Sequence, residues 1–554
     1  MTPPLTITFL GGLGEIGRNC AAIESEGELL LLDCGLMFPD LDMPGVDLVL
    51  PDFTYLRERS DRIVGCIATH GHEDHVGGLS FLLRDLSFPI YGSAFTLGLA
   101  RNRIAEAGLL DRTELIEVRD GERRKIGGFD VEFVPVTHSV PLGFATVIRT
   151  AQGVVLHSGD LKLDLTPVDG RLTDLARLGA VASGEGVRLY LGDSTNADEP
   201  GYSRSERSVG RVLENLFREH EGRRIVTTCF ASHLHRIQQI AEVAIASGRK
   251  VATLGLSMKK NVRLALDLGV LDLPEDALVD IDAVAGLPPG QVCVISTGSQ
   301  GEPMSALSLM ASGSSKWLDV GSEDTVILSS HPIPGNEMNV SRVIDGLIRR
   351  GAEVVYSGIE DVHATGHAKQ EELKTLFGIL RPEWFVPVHG EYRHMVAHAR
   401  LARVMGVADD RALVCVDGDQ VTLDDEGLHH TGTVPADHLY VDGLLDDVGH
   451  ALLRDRRTLA DEGVVVVLAT IDAARGQLLA GPQIITRGWV YAPEAEPLLA
   501  ECADEVRAAL LDALAGPAPR EMEALQRIAR KATGQFVSRR TGRRPMIVPV
   551  VVEI

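Results

Sequence analysis

Six residues, His70-Gly71-His72-Glu73-Asp74-His75, carry three imidazoles and a carboxylate directly behind the apolar run Ile63-Val64-Gly65-Cys66-Ile67-Ala68. Imidazole nitrogens and carboxylate oxygens are the ligands that Zn²⁺ or Mn²⁺ accept, and a strand ending in a tight Gly-containing loop can turn several of them toward one point. One tetrahedral ion cannot use all four. His70 and His72 point to one metal, Asp74 and His75 to a second beside it, and two adjacent ions imply displacement chemistry at phosphorus or at a carbonyl. A solvated His-rich loop is the plain rival, but three His and one Asp at these offsets seldom arise by chance. Structural zinc fits less well, because it favours closed Cys-rich sites and the cluster holds no cysteine.

The rest of the chain must supply the scaffold. At 554 residues it is too long for one hydrophobic core, and roughly two to four domains are expected. With 45% hydrophobic and 24% charged residues the composition is that of an ordinary globular protein. Seven cysteines are scattered, odd in number and without a C-x-x-C pair, which suits the reduced, buried thiols of a cytoplasmic protein. Met1-Thr2-Pro3-Pro4 leads into a strand without a basic region or cleavage site, and no apolar run reaches the length of a membrane span, so neither secretion nor membrane insertion is expected. The net charge of −24 argues against a protein that coats nucleic acid through a basic surface. It does not report the field inside a cleft, where metal cations are often the largest charges.

Near the N-terminus, Gly12-Leu13-Gly14-Glu15-Ile16-Gly17 matches G-x-G-x-x-G, with Asp33 at the distance of a ribose-binding acid. A dinucleotide site needs a helix next. The chain instead continues through Asn19 to Glu24, a turn at Glu26-Gly27 and Leu29 to Gly35, which reads as a β-hairpin. Further on, the strand Val131 to Val136 ends in Thr137-His138-Ser139, and Val154 to His157 ends in Ser158-Gly159-Asp160. A lone His at a strand end is more often a hydrogen-bonded edge residue than a ligand, and the interest of His138 and Asp160 is that they stand at strand ends, where the first cluster needs partners, with His157 a weaker competitor to Asp160. From Ser205 the pattern becomes alternating helix and strand, which implies an inserted parallel α/β domain. Its Gly/Ser-rich loops, such as Ser296-Thr297-Gly298-Ser299-Gln300-Gly301, can present N–H groups to phosphate or serve as ordinary βα turns. The strand Trp384 to Val388 then delivers His389, the ligand the second ion lacks beside Asp74 and His75.

The hairpin, the closing Asp33-Cys34-Gly35 and the His cluster resemble the opening of the metallo-β-lactamase fold, in which the residue matching Asp33 orients the metal loop. Asp193-Ser194-Thr195-Asn196, Phe230-Ala231-Ser232, Thr297 to Pro303, Pro332 to Glu337 and Pro387 to Glu391 together resemble the ribonuclease J family of the β-CASP branch. The resemblance implies an αββα sandwich (residues 1–204 and 359–447), an inserted β-CASP α/β domain (205–358), a linker (448–462) and a small C-terminal α/β domain (463–554). It implies metal ligation by His70, His72, Asp74, His75, His138, Asp160 and His389, with Asp74, Asp193 and His367 in catalysis and two divalent ions, Zn²⁺ or Mn²⁺, per subunit. RNA phosphates would be held by Ser232, Ser299, Gln300 and the run His363, Ala364, Thr365, Gly366, His367, where Thr365 stands in place of the usual Ser. Gly45, Asp47 and Asp442 resemble a structural Ca²⁺ site.

The function so implied is hydrolysis of single-stranded RNA. The enzyme would work 5′ to 3′ from 5′-monophosphate ends and also cut internally, in rRNA maturation and mRNA decay. Its setting would be the cytoplasm, as a homodimer that can pair into tetramers or join an RNA-degradation complex. The basic run Arg539 to Arg544 is either an RNA contact or a solvated loop before an edge strand. A thioester or lactam metallohydrolase would share the His cluster but has no use for the inserted domain or for His363 and His367. A catalytically dead RNA-binding scaffold would not keep all seven ligands.

Overall fold

The computed structural model describes every residue except 1, 41, 334, 444, 447, 473, 491–494 and 517–520, so Pro334 of the stretch Pro332 to Glu337 lies outside the description. The chain divides into two compact units, Met1–Phe38 with Leu48–His438, and Pro39–Asp47 with Leu439–Ile554.

In the first unit two sheets lie face to face. The larger has eight strands; at its centre the hairpin Cys20–Ser25 and Glu28–Leu32 is antiparallel, followed by Ile63–Ile67 in parallel. This is the hairpin read from sequence, and it leaves no helix for a dinucleotide. The second sheet has six strands, including Phe129–Pro135, Gly153–His157, Leu189–Asp193 and Trp384–Val388. Between the sheets Ile7, Phe9, Ile23, Leu30 and Ile67 meet Val131, Phe133, Val155, Leu191 and Val386 in one core. Side chains alternate along a strand, so Val134, Val147, Leu156 and Tyr190 point the other way. There they pack against the helices Leu175–Gly184, Gln370–Leu380 and Tyr392–Val404. Burying both faces is what demands nearly continuous apolar runs such as Leu29-Leu30-Leu31-Leu32, all 2% exposed or less.

The inserted segment forms a six-stranded sheet whose strands pair only in parallel, with Arg224–Thr228, Lys250–Leu254, Val292–Ser296 and Asp324–Leu328 at its centre. Helices Glu206–Glu219 and Leu234–Ala246 cover one face and Ala306–Ser312 and Glu337–Arg349 the other. Helices on both sides are what an all-parallel sheet requires.

The second unit contains a three-stranded sheet in the order Gln477–Arg487, Val464–Asp472, Met546–Glu553, backed by helices Glu496–Ala515 and Met522–Thr541. It begins at Leu439, ahead of the boundary expected at 447, and the segment expected to be a linker is the helix Gly449–Glu462. Arg539 and Arg540 lie in the last turn of a helix, not in a loop.

Candidate metal centre

The metal-binding candidates sit at strand ends on one edge of the sandwich. Ile63–Ile67 leads to His70 and His72, and a single helical turn, Glu73–Val76, carries Asp74 and His75. The strands Phe129–Pro135, Gly153–His157 and Trp384–Val388 end just ahead of His138, Asp160 and His389. Asp33 and His389 both hold left-handed backbone, at φ +59° and +53°. Asp and His tolerate that region better than most residues, and the cost, of order 1–3 kcal/mol each, is sustained only where the surroundings fix the backbone. Gly35 is required by contact, because a Cβ there would stand 1.6 Å from the Asp74 carbonyl oxygen.

All seven expected ligands come together. His70 Nε2 lies 3.0 Å and His138 Nε2 3.2 Å from His72 Nδ1, and Asp160 Oδ2 lies 3.4 Å and 3.8 Å from the same His70 and His138 nitrogens. On the other side His75 Nε2 and His389 Nε2 stand 3.6 Å and 3.3 Å from Asp74 Oδ2, and 3.3 Å and 3.5 Å from Asp160 Oδ2. Zn–N bonds of 2.0–2.1 Å set tetrahedral ligand edges of about 3.3–3.4 Å, the spacing around which these atoms scatter. Asp160 belongs to both groups.

Four of the five histidines bond their second nitrogen closely, while that of the fifth, His72 Nε2, lies 3.5 Å from the Ser139 hydroxyl. His75 Nδ1–H donates to Asp33 Oδ2 at 2.8 Å. Thr69 donates to the same carboxylate through its N–H and its hydroxyl, both at 2.8 Å, and that hydroxyl lies 3.2 Å from His70 Nδ1. His138 Nδ1–H donates to the Gly366 carbonyl at 2.8 Å. Thr195 donates its hydroxyl to Asp193 at 2.8 Å, so the 2.6 Å contact of His389 Nδ1 with Thr195 Oγ1 makes the imidazole the donor. With the outer nitrogen of these four rings carrying a proton, the inward one is the atom that can offer a lone pair once any second proton has left, as ligation needs.

Electrostatics agree with the geometry. Burial pushes His70, His72 and His138 below the ordinary imidazole value, His72 to about 4, so these three are neutral donors. Burial also disfavours charge on His75 and His389, but the carboxylates, Asp160 first, outweigh it and raise both well above that value. Asp74, Asp160 and Asp193 stay ionised despite burial because imidazoles surround them. Buried carboxylates that hold protons on neighbouring imidazoles call for positive charge, and a divalent cation would displace those protons on binding. The donor set therefore fits divalent metal ions.

Asp193 and His367 lie in the same ligand neighbourhood as Asp160 and His389, yet they bond to each other, Asp193 Oδ2 to His367 Nδ1 at 2.7 Å. Burial opposes charge on His367 and Asp193 more than restores it, so its pKa is raised. Thr365 Oγ1 accepts from Asn196 Nδ2 at 2.9 Å and from the His367 N–H at 3.2 Å, leaving its own proton to be donated elsewhere. Gly366 serves by close approach, because a Cβ there would lie 2.7 Å from His138 Cε1. Ala364 is buried, and His363 Nδ1 is buried with no hydrogen-bond partner among the described residues.

Three expectations come out differently. The Gln300 amide is spent inside the protein, donating to the His331 carbonyl at 3.0 Å and accepting from the Ile333 N–H at 2.7 Å. Ser299 is buried beneath it at 3% exposure, its carbonyl facing the Ser330 hydroxyl at 3.4 Å, while Ser232 is half-buried. The proposed structural cation site holds a cation already. The Arg456 guanidinium donates to the Gly45 carbonyl at 3.1 Å and to Asp442, while Asp47 accepts from the Gly443 N–H at 2.8 Å. His157, the competitor to Asp160, accepts from the Gly159 N–H at 3.2 Å and joins neither ligand group. Sequence reading missed Asn19, whose amide donates to the Asp74 carbonyl at 3.0 Å, and it missed Thr195 and Asn196 as supports. Their only signal was adjacency, Asn19 to the strand after the glycine loop and the other two to Asp193.

Successive parts of the chain match "Metallo-beta-lactamase superfamily" (residues 13–212), "Ribonuclease J, beta-CASP domain" (222–347), "Zn-dependent metallo-hydrolase RNA specificity domain" (351–411) and "Ribonuclease J C-terminal domain" (451–554). A solved structure of a protein of unknown function from Enterococcus faecalis V583 shares the fold, with TM-score 0.55 and 16% identity, covering 76% of this chain and all of that one. Ribonuclease J of Thermus thermophilus is 43% identical over 98% of this chain and 94% of its own length. Ribonuclease J2 of Bacillus subtilis is 36% identical over 100% and 99%, and ribonuclease J of Mycolicibacterium smegmatis 40% over 99% and 97%. Similarity of that extent runs from the hairpin through the last strand and takes in every ligand-bearing loop, and on it the chain belongs to the ribonuclease J family.

Proposed function

We propose that the protein is a metal-dependent ribonuclease that hydrolyses RNA phosphodiesters, working from 5′-monophosphate ends in the 5′-to-3′ direction and also cutting internally. The observation that carries this reading is the Asp193–His367 pair at 2.7 Å beside the metal ligands, in which Asp193 ends the strand Leu189–Asp193 and His367 lies on the segment that follows the last strand of the inserted sheet, Glu353–Tyr356. A thioester or lactam hydrolase has no need of that pair or of the inserted domain.

Two divalent ions, Zn²⁺ or Mn²⁺, would be held by His70, His72, His138 and Asp160 on one side and by Asp74, His75, His389 and Asp160 on the other. Bound there, they supply activation of a water nucleophile and neutralisation of charge developing at phosphorus. The protein's own groups do the rest. Asp193 keeps a proton on His367, which donates it to the leaving 3′ oxygen as a general acid. The Thr365 hydroxyl donates to a non-bridging phosphate oxygen. His363, with an unpartnered buried nitrogen, meets the neighbouring phosphate together with Ser232. The physiological setting is cytoplasmic rRNA maturation and mRNA decay, alone or in an RNA-degradation complex. No helix among the described residues is long and apolar enough to cross a membrane. Homodimerisation is supported by the uncovered sheet face of the second unit, where Ile485, Val548, Val550 and Val552 are 36–48% exposed; pairing of dimers into tetramers remains part of the proposal.

The test is incubation of the protein, with Mn²⁺, with Zn²⁺ or with chelator, on 5′-monophosphate RNA, 5′-hydroxyl RNA and a thioester. Release of mononucleotides from the monophosphate RNA, only with metal, is the expected result. Thioester turnover without RNA cleavage would overturn the reading.

A further inference from the structure

Between Ala524 and Val552 the chain carries seven Arg and Lys residues and no Asp or Glu, although its net charge is −24. The second unit gathers part of this charge into a groove. Lys531, Gly534, Gln535 and Ser538 lie at i, i+3, i+4 and i+7 along the helix Met522–Thr541, so they share one face. That face forms one wall of an open cleft of about 860 Å³ whose other lining residues are Arg539, Arg544, Pro545 and Ile547. Gly534 keeps the floor low, as a Cβ there would already stand 3.3 Å from Ile547 Cδ1.

None of the groove's lining residues is acidic, although the Arg544 backbone N–H donates to the Glu462 carboxylate at 3.1 Å. Among the described residues no ion pair engages Lys531 or the Arg544 guanidinium, while Arg539 is bonded to Glu505 at 2.5 Å. Gln535 and Ser538 add neutral hydrogen-bonding groups, and Pro545 and Ile547 add an apolar strip. A lining without an aromatic ring has no platform for base stacking, so what it can hold is a sugar–phosphate backbone irrespective of sequence. In so acidic a protein, a local concentration of cations favours a polyanion that most of the surface repels.

We propose that this groove is a second RNA contact, in which Lys531, Arg539 and Arg544 hold phosphates of a long single strand. The inference rests on the reading of the protein as a ribonuclease and adds to it a preference for length. A substrate too short to reach the groove gains nothing from it.

The experiment uses the full chain and the double variant Lys531→Gln/Arg544→Gln. Anisotropy of a labelled 30-nucleotide single strand is read in chelator, where no cleavage occurs, between 50 and 200 mM salt, and hydrolysis of a dinucleotide is read with metal. Each lost phosphate contact makes the salt slope shallower by about 0.7. Two lost contacts make the variant's affinity fall about 7-fold less than wild type across that range. Weaker binding of the long strand with that shallower slope, and dinucleotide hydrolysis unchanged, is the expected result. Unchanged affinity and slope would overturn the groove while leaving the ribonuclease reading intact. A wild-type chain that cleaves no RNA yet loses salt-dependent binding in the variant would overturn that reading and keep the groove. If the double variant also loses dinucleotide hydrolysis, Lys531→Arg/Arg544→Lys decides: wild-type binding supports the proposal and loss refutes it. Competition by polyglutamate as strong as by RNA would reassign the groove to an acidic protein and refute it as an RNA contact.

Discussion

Asp33→Asn isolates the orienting of a metal ligand from ligation itself. The carboxylate is 2% exposed and accepts three hydrogen bonds of 2.8 Å, from the Thr69 N–H, the Thr69 hydroxyl and His75 Nδ1–H. Asparagine keeps the shape and one oxygen but turns one acceptor into an N–H₂ donor. With that amide facing His75, Nδ1 must accept and the ring proton moves to Nε2, the nitrogen that lies 3.3 Å from Asp160 and 3.6 Å from Asp74. A protonated Nε2 cannot bind metal. Loss of such an outer partner costs 10–100-fold in metal affinity, about 1.4–2.7 kcal/mol. Thr69 can rotate its hydroxyl to accept, so the folded protein loses only about 1 kcal/mol. The assays are metal affinity by competition with a chromophoric chelator, activity against free metal concentration, and thermal unfolding without metal. We expect the half-saturating metal concentration to rise 10–100-fold, activity to recover at saturation, and the metal-free melting temperature to shift by a few degrees. Unchanged metal affinity would refute the tautomer argument, as would activity that no metal concentration restores.

Other expectations rest on the same reasoning. Arg236 is fully buried, pairs with Glu206 at 2.5 Å and 2.8 Å and donates to the carbonyls of Ser329 and Val362. Arg236→Met strands a buried carboxylate and should cost about 3–5 kcal/mol in denaturant unfolding; a loss under 1 kcal/mol would contradict the ion-pair account. Burial disfavours the ionised form of Glu206 but Arg236 outweighs it, holding the carboxyl well below its usual range. Its stabilisation is therefore present above the ordinary carboxylate value and lost as pH falls through the depressed one, and Glu206→Gln should flatten the acid limb of the stability curve. His367→Ala should slow RNA cleavage about 10²–10⁴-fold but spare a phosphodiester with a nitrophenolate leaving group, which needs no proton; equal loss on both would remove His367 as the acid. Since Arg456 already supplies positive charge to Asp442 and Gly45, the melting temperature of the wild type should not respond to Ca²⁺, whereas that of Arg456→Gln should; a Ca²⁺ response in the wild type would contradict this.

The reach of the sequence can be traced through single residues. His70, His72, Asp74 and His75 were legible because four ligands in six residues is a local pattern whose chemistry does not depend on the fold. His138, Asp160 and His389 were legible through their places behind apolar runs, since strands in layered sheets deliver their ends to one edge. Local signals failed where an edge or a face overrode them. The strand Gln477–Arg487 runs through Gly481-Pro482, a pair that local rules put in a turn, because at the edge of its sheet proline is tolerated. Gly534 weakens a helix by local rules, yet the helix Met522–Thr541 continues through it and is capped by Gly542 at φ +69°.

The supporting shell was decided by tertiary structure alone. Nothing in the spacing of Asp33 and His75, Thr195 and His389, or Gly366 and His138 indicates which imidazole nitrogen is left free. Nor could composition show that the Gln300 amide is turned inward or that Arg456 occupies the ground of a cation. Residue type fixes what a side chain can donate or accept; which partner it meets depends on packing between segments up to hundreds of residues apart, and that partner fixes the tautomer, charge and aim on which the chemistry rests.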